Sequence, residues 1–100
     1  MNFRKWLSEY KGAEYGHALP FGMVRLSTHR LFWTDSRGSS YLELDDVRRI
    51  TLCQGESVWL ELTFPNAEQL LVEIGPGEQP AAQVLLDVIR ERFPHIDIVK

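Results

Sequence analysis

Gly22-Met23-Val24-Arg25-Leu26-Ser27-Thr28-His29-Arg30-Leu31-Phe32-Trp33-Thr34-Asp35 is the stretch on which the fold turns. Val24 and Leu26 alternate with Arg25 and Ser27, as on a strand with one buried face. Leu31 and Trp33 are also apolar and two apart, but they fall out of phase with the first pair. On one continuous strand the two sets would point to opposite faces, because side chains alternate with period two. A reversal at Thr28-His29-Arg30 removes the conflict. Residues 22–27 and 31–35 are then predicted to pair as a hairpin whose two apolar sets face one core.

Working outward from this hairpin, the same period continues to about residue 74. Asp35-Ser36-Arg37-Gly38-Ser39-Ser40 reads as a polar turn, followed by Tyr41, Leu42 and Leu44 on a short strand. Asp45-Asp46 ends that strand, since aspartate is poor in strands and good in turns. Ile50 and Leu52 mark another strand, closed by Gln54-Gly55-Glu56. Val58, Leu60, Leu62 and Phe64 give the cleanest alternation in the chain. After Pro65-Asn66, Leu70, Val72 and Ile74 complete the last strand, and Gly75-Pro76-Gly77 breaks the sheet.

The period then becomes helical. Pro80 suits a first helical turn, and Ala81, Leu85, Val88, Ile89 and Phe93 fall on one stripe. Pro94 ends the helix, and 95–100 reads as a loosely held tail. Phe3, Trp6, Leu7 and Tyr10 fit either a short amphipathic helix or a first strand over about residues 4–11; the strand is preferred because the fold calls for one. Gly12, Gly16 and Pro20 make 12–21 a loop. The expected fold class is therefore mainly β with one C-terminal α-helix, in a single domain over residues 1–100. Six or seven short antiparallel strands cannot cover both faces of a sheet or hide its edges. They must curl, with the helix plugging the open end.

Composition excludes several classes. With 44% hydrophobic and 25% charged residues the chain is neither a disordered tail nor a membrane protein. No apolar run approaches the ~20 residues of a membrane span. The start, Met1 to Trp6, has basic residues but no apolar stretch behind them of the kind a secretory signal carries. The single Cys53 can form neither an internal disulfide nor, alone, a zinc site, which fits a reducing, cytoplasmic setting. A net charge of −3 argues against nucleic acid as a partner. Residues 1–50 carry eight Lys/Arg against six Asp/Glu, and residues 51–100 three against eight. Either the solvated faces differ in charge by chance, or the basic half meets an anion.

The run from Gly22 to Asp35, followed by Tyr41-Leu42-Glu43-Leu44-Asp45-Asp46-Val47, resembles the core of the PH-like superfamily. The resemblance is closest to the GLUE domain at the start of the ESCRT-II subunit of the endosomal sorting machinery, with GRAM domains beyond it. The match is close over residues 22–47, where it points to the PH-like fold more than to any one family in it, and is one of layout over the rest. It implies a PH-like β-barrel capped by a helix. GLUE domains bind 3-phosphoinositides and ubiquitin, so the resemblance implies a protein partner (ubiquitin or another subunit), a phosphoinositide surface, and a peripheral place on endosomal membranes. The chain departs from the family in two ways: it has no basic run marking a lipid pocket, and it lacks the long segment and winged-helix modules of a whole ESCRT-II subunit. A small self-associating PH-like adaptor is the alternative.

Enzyme chemistry finds no motif: no G-x-S-x-G, H-E-x-x-H, P-loop or C-x-x-C is present. Ser27 and His29 are close in sequence without an orienting third group, and His29 reads as a turn residue. Asp45-Asp46 reads as a turn before a metal site, and Cys53 as a half-buried strand residue. No catalytic residue, metal or cofactor is expected. Two binding sites are. Lys11, Arg25, Arg37, Arg48 and Arg49 are the anion-binding candidates, because a guanidinium gives phosphate paired, charge-assisted hydrogen bonds. Arg37 leads them, flanked by Ser36, Gly38 and Ser39, which let a head group approach backbone N–H groups. Arg30 is expected to pair with a carboxylate such as Asp35. Trp59 and Leu71 are out of phase with the core residues of their strands and form the protein-docking candidate, unless Phe3, Trp6 and Tyr10 cover them.

Overall fold

A computed structural model describes residues 18–100. The strand expected over about residues 4–11, the first part (12–17) of the expected loop 12–21, and Lys11 lie outside the described residues. Eight strands and one helix follow: β1 (Leu19–Phe21), β2 (Val24–Leu26), β3 (Arg30–Asp35), β4 (Gly38–Glu43), a 3-10 turn at Leu44–Asp46, β5 (Arg49–Gln54), β6 (Val58–Thr63), β7 (Gln69–Gly75), α1 (Gln79–Arg92) and β8 (Asp97–Val99). They form two four-stranded sheets, ordered β1-β2-β3-β4 and β7-β6-β5-β8. No ladder among the described residues joins the two into a closed barrel.

The deciding hairpin forms as expected. Val24 pairs with Trp33 and Leu26 with Leu31, which places the two apolar sets on the same face. Ser27 builds the reversal: its Oγ accepts the Arg30 N–H at 3.1 Å and donates to the Arg30 carbonyl at 3.2 Å. The opposite face of the first sheet carries Phe32, which packs with Ala18 and Tyr41 in a small second cluster. Arg30 pairs with Glu43 (Nε to Oε1, 2.6 Å) and not with Asp35, because the β3–β4 register sets Arg30 directly across from Glu43.

The core lies between the sheets and under the helix. Val24, Leu26 and Leu31 meet Ile50, Leu60, Leu62, Val72 and Ile74, all essentially without solvent contact. Each fully buried aliphatic side chain of this kind contributes about 1.5–3 kcal/mol. A backbone bond seams the sheets at one corner, where the Met23 N–H donates to the Ile74 carbonyl at 2.9 Å.

Three readings of the sequence change. First, Pro20 lies within β1, not in a loop; it sits on an edge strand, where a missing N–H is tolerated. Second, the helix buries Ala82, Leu85, Leu86, Ile89 and Phe93, while Ala81 and Val88 are half-buried. Leu85, Ile89 and Phe93 of the expected stripe are buried, and the buried face turns from Ala81 and Val88 toward Ala82 and Leu86. Third, the tail is held. Ile96 is buried, the Asp97 N–H donates to the Arg48 carbonyl at 3.0 Å, and β8 runs parallel to β5, which makes the strands not all antiparallel. Sequence pattern missed β8 because three residues are too few to show a period. Ile96→Ala is accordingly expected to cost about 2 kcal/mol in urea unfolding. A loosely held tail would show no change.

Candidate functional site

The β3–β4 hairpin closes on Ser36 and Arg37, with Asp35 opposite Gly38. The Asp35 carboxylate accepts the Arg37 backbone N–H at 2.8 Å, an Asx-type contact that shapes the tip and leaves the exposed Arg37 side chain at its apex. This bears on anion binding. One of the N–H groups a head group would use is already bound to a carboxylate of the chain itself, which also sets a negative charge beside Arg37.

The second wall comes from β6 and β7. Trp59 pairs with Glu73 and Glu61 with Leu71, so Trp59 and Leu71 are diagonal neighbours on the outer face of the second sheet. Trp59 is 37% exposed and Leu71 57%. The two walls face each other. A groove of about 450 Å³ runs between the hairpin, through Trp33, Arg37 and Tyr41, and β7, through Leu70 and Leu71. An adjoining hollow of about 230 Å³ extends it past Trp33 and Arg37 to Trp59 and Glu73. Trp33 is half-buried: it packs partly on the core and lines both spaces. Arg37, Trp59 and Leu71, assigned by sequence to two separate sites, thus border one continuous groove.

The other basic candidates do not gather there. Arg25 is half-buried and its Nη2 donates to the Ala18 carbonyl at 2.8 Å. Arg49 pairs with Asp97 (Nε to Oδ2, 3.0 Å) and stands opposite Thr63, whereas Trp59 stands opposite Cys53 at the other end of the same strand pair. Arg48 precedes Arg49 at that far end, exposed. Of the five candidates, Arg37 alone lines the groove among the described residues. Trp33 and Met23 are groove residues that sequence reasoning missed. The phase of Trp33 points it to the core, and period two cannot tell an interior position from one at the mouth between two sheets.

Ser27 Oγ serves the hairpin reversal. His29 is exposed, with Nδ1 at 3.7 Å from Asp45 Oδ2 and its ring edge-on to Phe93. Asp45 and Asp46 form the exposed first turn of the 3-10 segment. Cys53 is half-buried, its Sγ 3.9 Å from the Thr51 carbonyl. Among the described residues no three His, Cys, Asp or Glu side chains are grouped to hold a metal ion, and no helix is long and apolar enough to cross a membrane. Comparison with family models, with curated proteins and with solved structures gave no match.

Proposed function

We propose that this chain is a non-enzymatic, PH-like binding module that docks a protein partner in the groove between the β3–β4 hairpin and β7, in a recruitment or adaptor role. One observation carries the reading: Trp33, Trp59, Leu71 and Arg37 come from two sheets and border the same groove. Aromatic and Arg side chains around an apolar centre are the residues that dominate binding energy at interfaces. The PH-like assignment rests on the resemblance over residues 22–47 and on the arrangement of two short antiparallel-dominated sheets with a C-terminal helix packed on the core. The same resemblance makes ubiquitin the first partner to test and endosomal sorting the first setting.

Amide and indole chemical-shift titration with ubiquitin is the direct test. The expected shifts centre on Trp33, Trp59 and Leu71, and Trp59→Ala weakens binding by about tenfold or more. Shifts confined to surfaces away from the groove would reject the site. Lipid is the lesser reading, because isolated membrane-facing cations contribute only about 1 kcal/mol each. Flotation with vesicles containing a 3-phosphoinositide is expected to retain little protein, and any retention is expected to be lost in Arg37→Glu. Strong retention that survives this change would move the function to lipid and away from the groove. A dimer in sedimentation that Trp59→Ala dissolves would instead support the self-associating adaptor.

A further inference from the structure

The chemical class of the partner can be read from two features of β7, on the premise that the groove is a docking site. The first is charge. From Thr51 to Ile89 the chain contains no Lys, Arg or His and six carboxylates, at positions 56, 61, 68, 73, 78 and 87. Two of the six flank the apolar pair directly: Glu73 stands across from Trp59 and Glu61 across from Leu71. Ser57 Oγ donates to Glu73 at 2.5 Å and Gln69 Nε2 to Glu61 at 3.3 Å, so both carboxylates are held in place by neutral donors. On this face the apolar residues and the negative charges form a checkerboard.

The second feature is an edge. β7 is the terminal strand of its sheet, and its far side borders the groove. The Ile74 carbonyl is taken by Met23, but between Gln69 and Glu73 no second ladder lies along β7 among the described residues. An open strand edge is a template for another strand, and main-chain bonds then give affinity while alternate side chains give specificity.

We propose that β7 accepts an extended segment of a partner protein that alternates Lys or Arg with apolar residues. On the outer face such a strand sets a cation beside Glu73, with Glu61 one strand further in behind Leu71. On the inner face its apolar side chains enter the groove over Trp33, beside Leu70 and Val72. Half-buried Leu70 and Trp33 on the inner side, against Glu73 on the outer side, fix which side of the segment turns inward.

The test uses three capped synthetic peptides of about eight residues, the length of an ordinary strand. One alternates Lys with Val and Leu, one alternates Glu with the same residues, and one is the Lys peptide with alternate backbone nitrogens methylated. The Lys peptide is expected to shift the Trp59 indole and the amides of residues 69–73, and to weaken about tenfold between about 50 and about 500 mM salt. The Glu peptide and the methylated peptide are expected to leave these signals unmoved, and Glu73→Lys to reverse the charge preference. Equal response to Lys and Glu peptides, undiminished binding of the methylated peptide, or shifts centred on Asp87 and Glu91 would overturn the proposal. So would a concentration-dependent dimer dissolved by Leu71→Lys, which would put a second copy on the edge. If ubiquitin moves Trp59 and Leu71 while the Lys peptide does not, the docking face stands and the basic extended partner falls. If neither moves them, both fall.

Discussion

Gly22→Ala is expected to destabilise the chain by about 3 kcal/mol or more in urea unfolding, among the largest losses from adding a single methyl group. Two costs add. Gly22 has φ +61°, a region that disfavours a side chain by about 1–2 kcal/mol. A Cβ there would also lie 2.3 Å from the Ile74 carbonyl oxygen and 2.9 Å from Ile74 Cγ2. The first of these is backbone and cannot swing aside. It is also the acceptor of the Met23 N–H, so any retreat of that carbonyl loosens the seam between the two sheets. Gly77→Ala is the control. Gly77 has a similar φ of +71° but nothing within 4 Å of a built Cβ. It should lose only the conformational part, about 1–2 kcal/mol. Equal losses at the two positions would mean that the close approach of the sheets at Ile74 does not limit stability.

The same corner explains what could and could not be read from the residues in order. Val24, Leu26, Leu31 and Trp33 encode their hairpin by phase alone, since any other pairing would expose half of them. β5, β6 and β7 were legible for the same reason. What joins the sheets was not. The Met23–Ile74 bond is made by backbone atoms fifty-one positions apart, and no side-chain pattern reports it. The groove depends on that corner, because it opens where the hairpin and β7 diverge beyond it. Arg37 and Trp59 were therefore recognisable as unusual residues, one on a turn and one out of phase, while their sharing of a groove was not. The remaining basic candidates show the complementary limit. Arg25 and Arg49 looked available by position, and their partners, the Ala18 carbonyl and Asp97, are set by pairing partners remote in or hidden from the local pattern.

Leu85→Ala is expected to cost about 2–5 kcal/mol, because Leu85 has no solvent exposure and sits in the cluster shared by both sheets. The loss should exceed the transfer term of the missing carbons. The surrounding strands are anchored by their own ladders and cannot collapse fully into the space, so a cavity remains. Val84→Ala, one position away and 52% exposed, should fall within about 0.5 kcal/mol of the parent. The helix phase is tested more sharply by its alanines. Ala82 is fully buried and Ala81 half-buried, although continuing the four-residue step from Ile89 to Leu85 would favour Ala81 as the inward residue. Ala82→Leu must force extra volume into a packed interior and should cost about 1–3 kcal/mol. Ala81→Leu can spread over the surface and should be close to neutral. The reverse order would mean that the helix presents the face centred on Ala81 to the core.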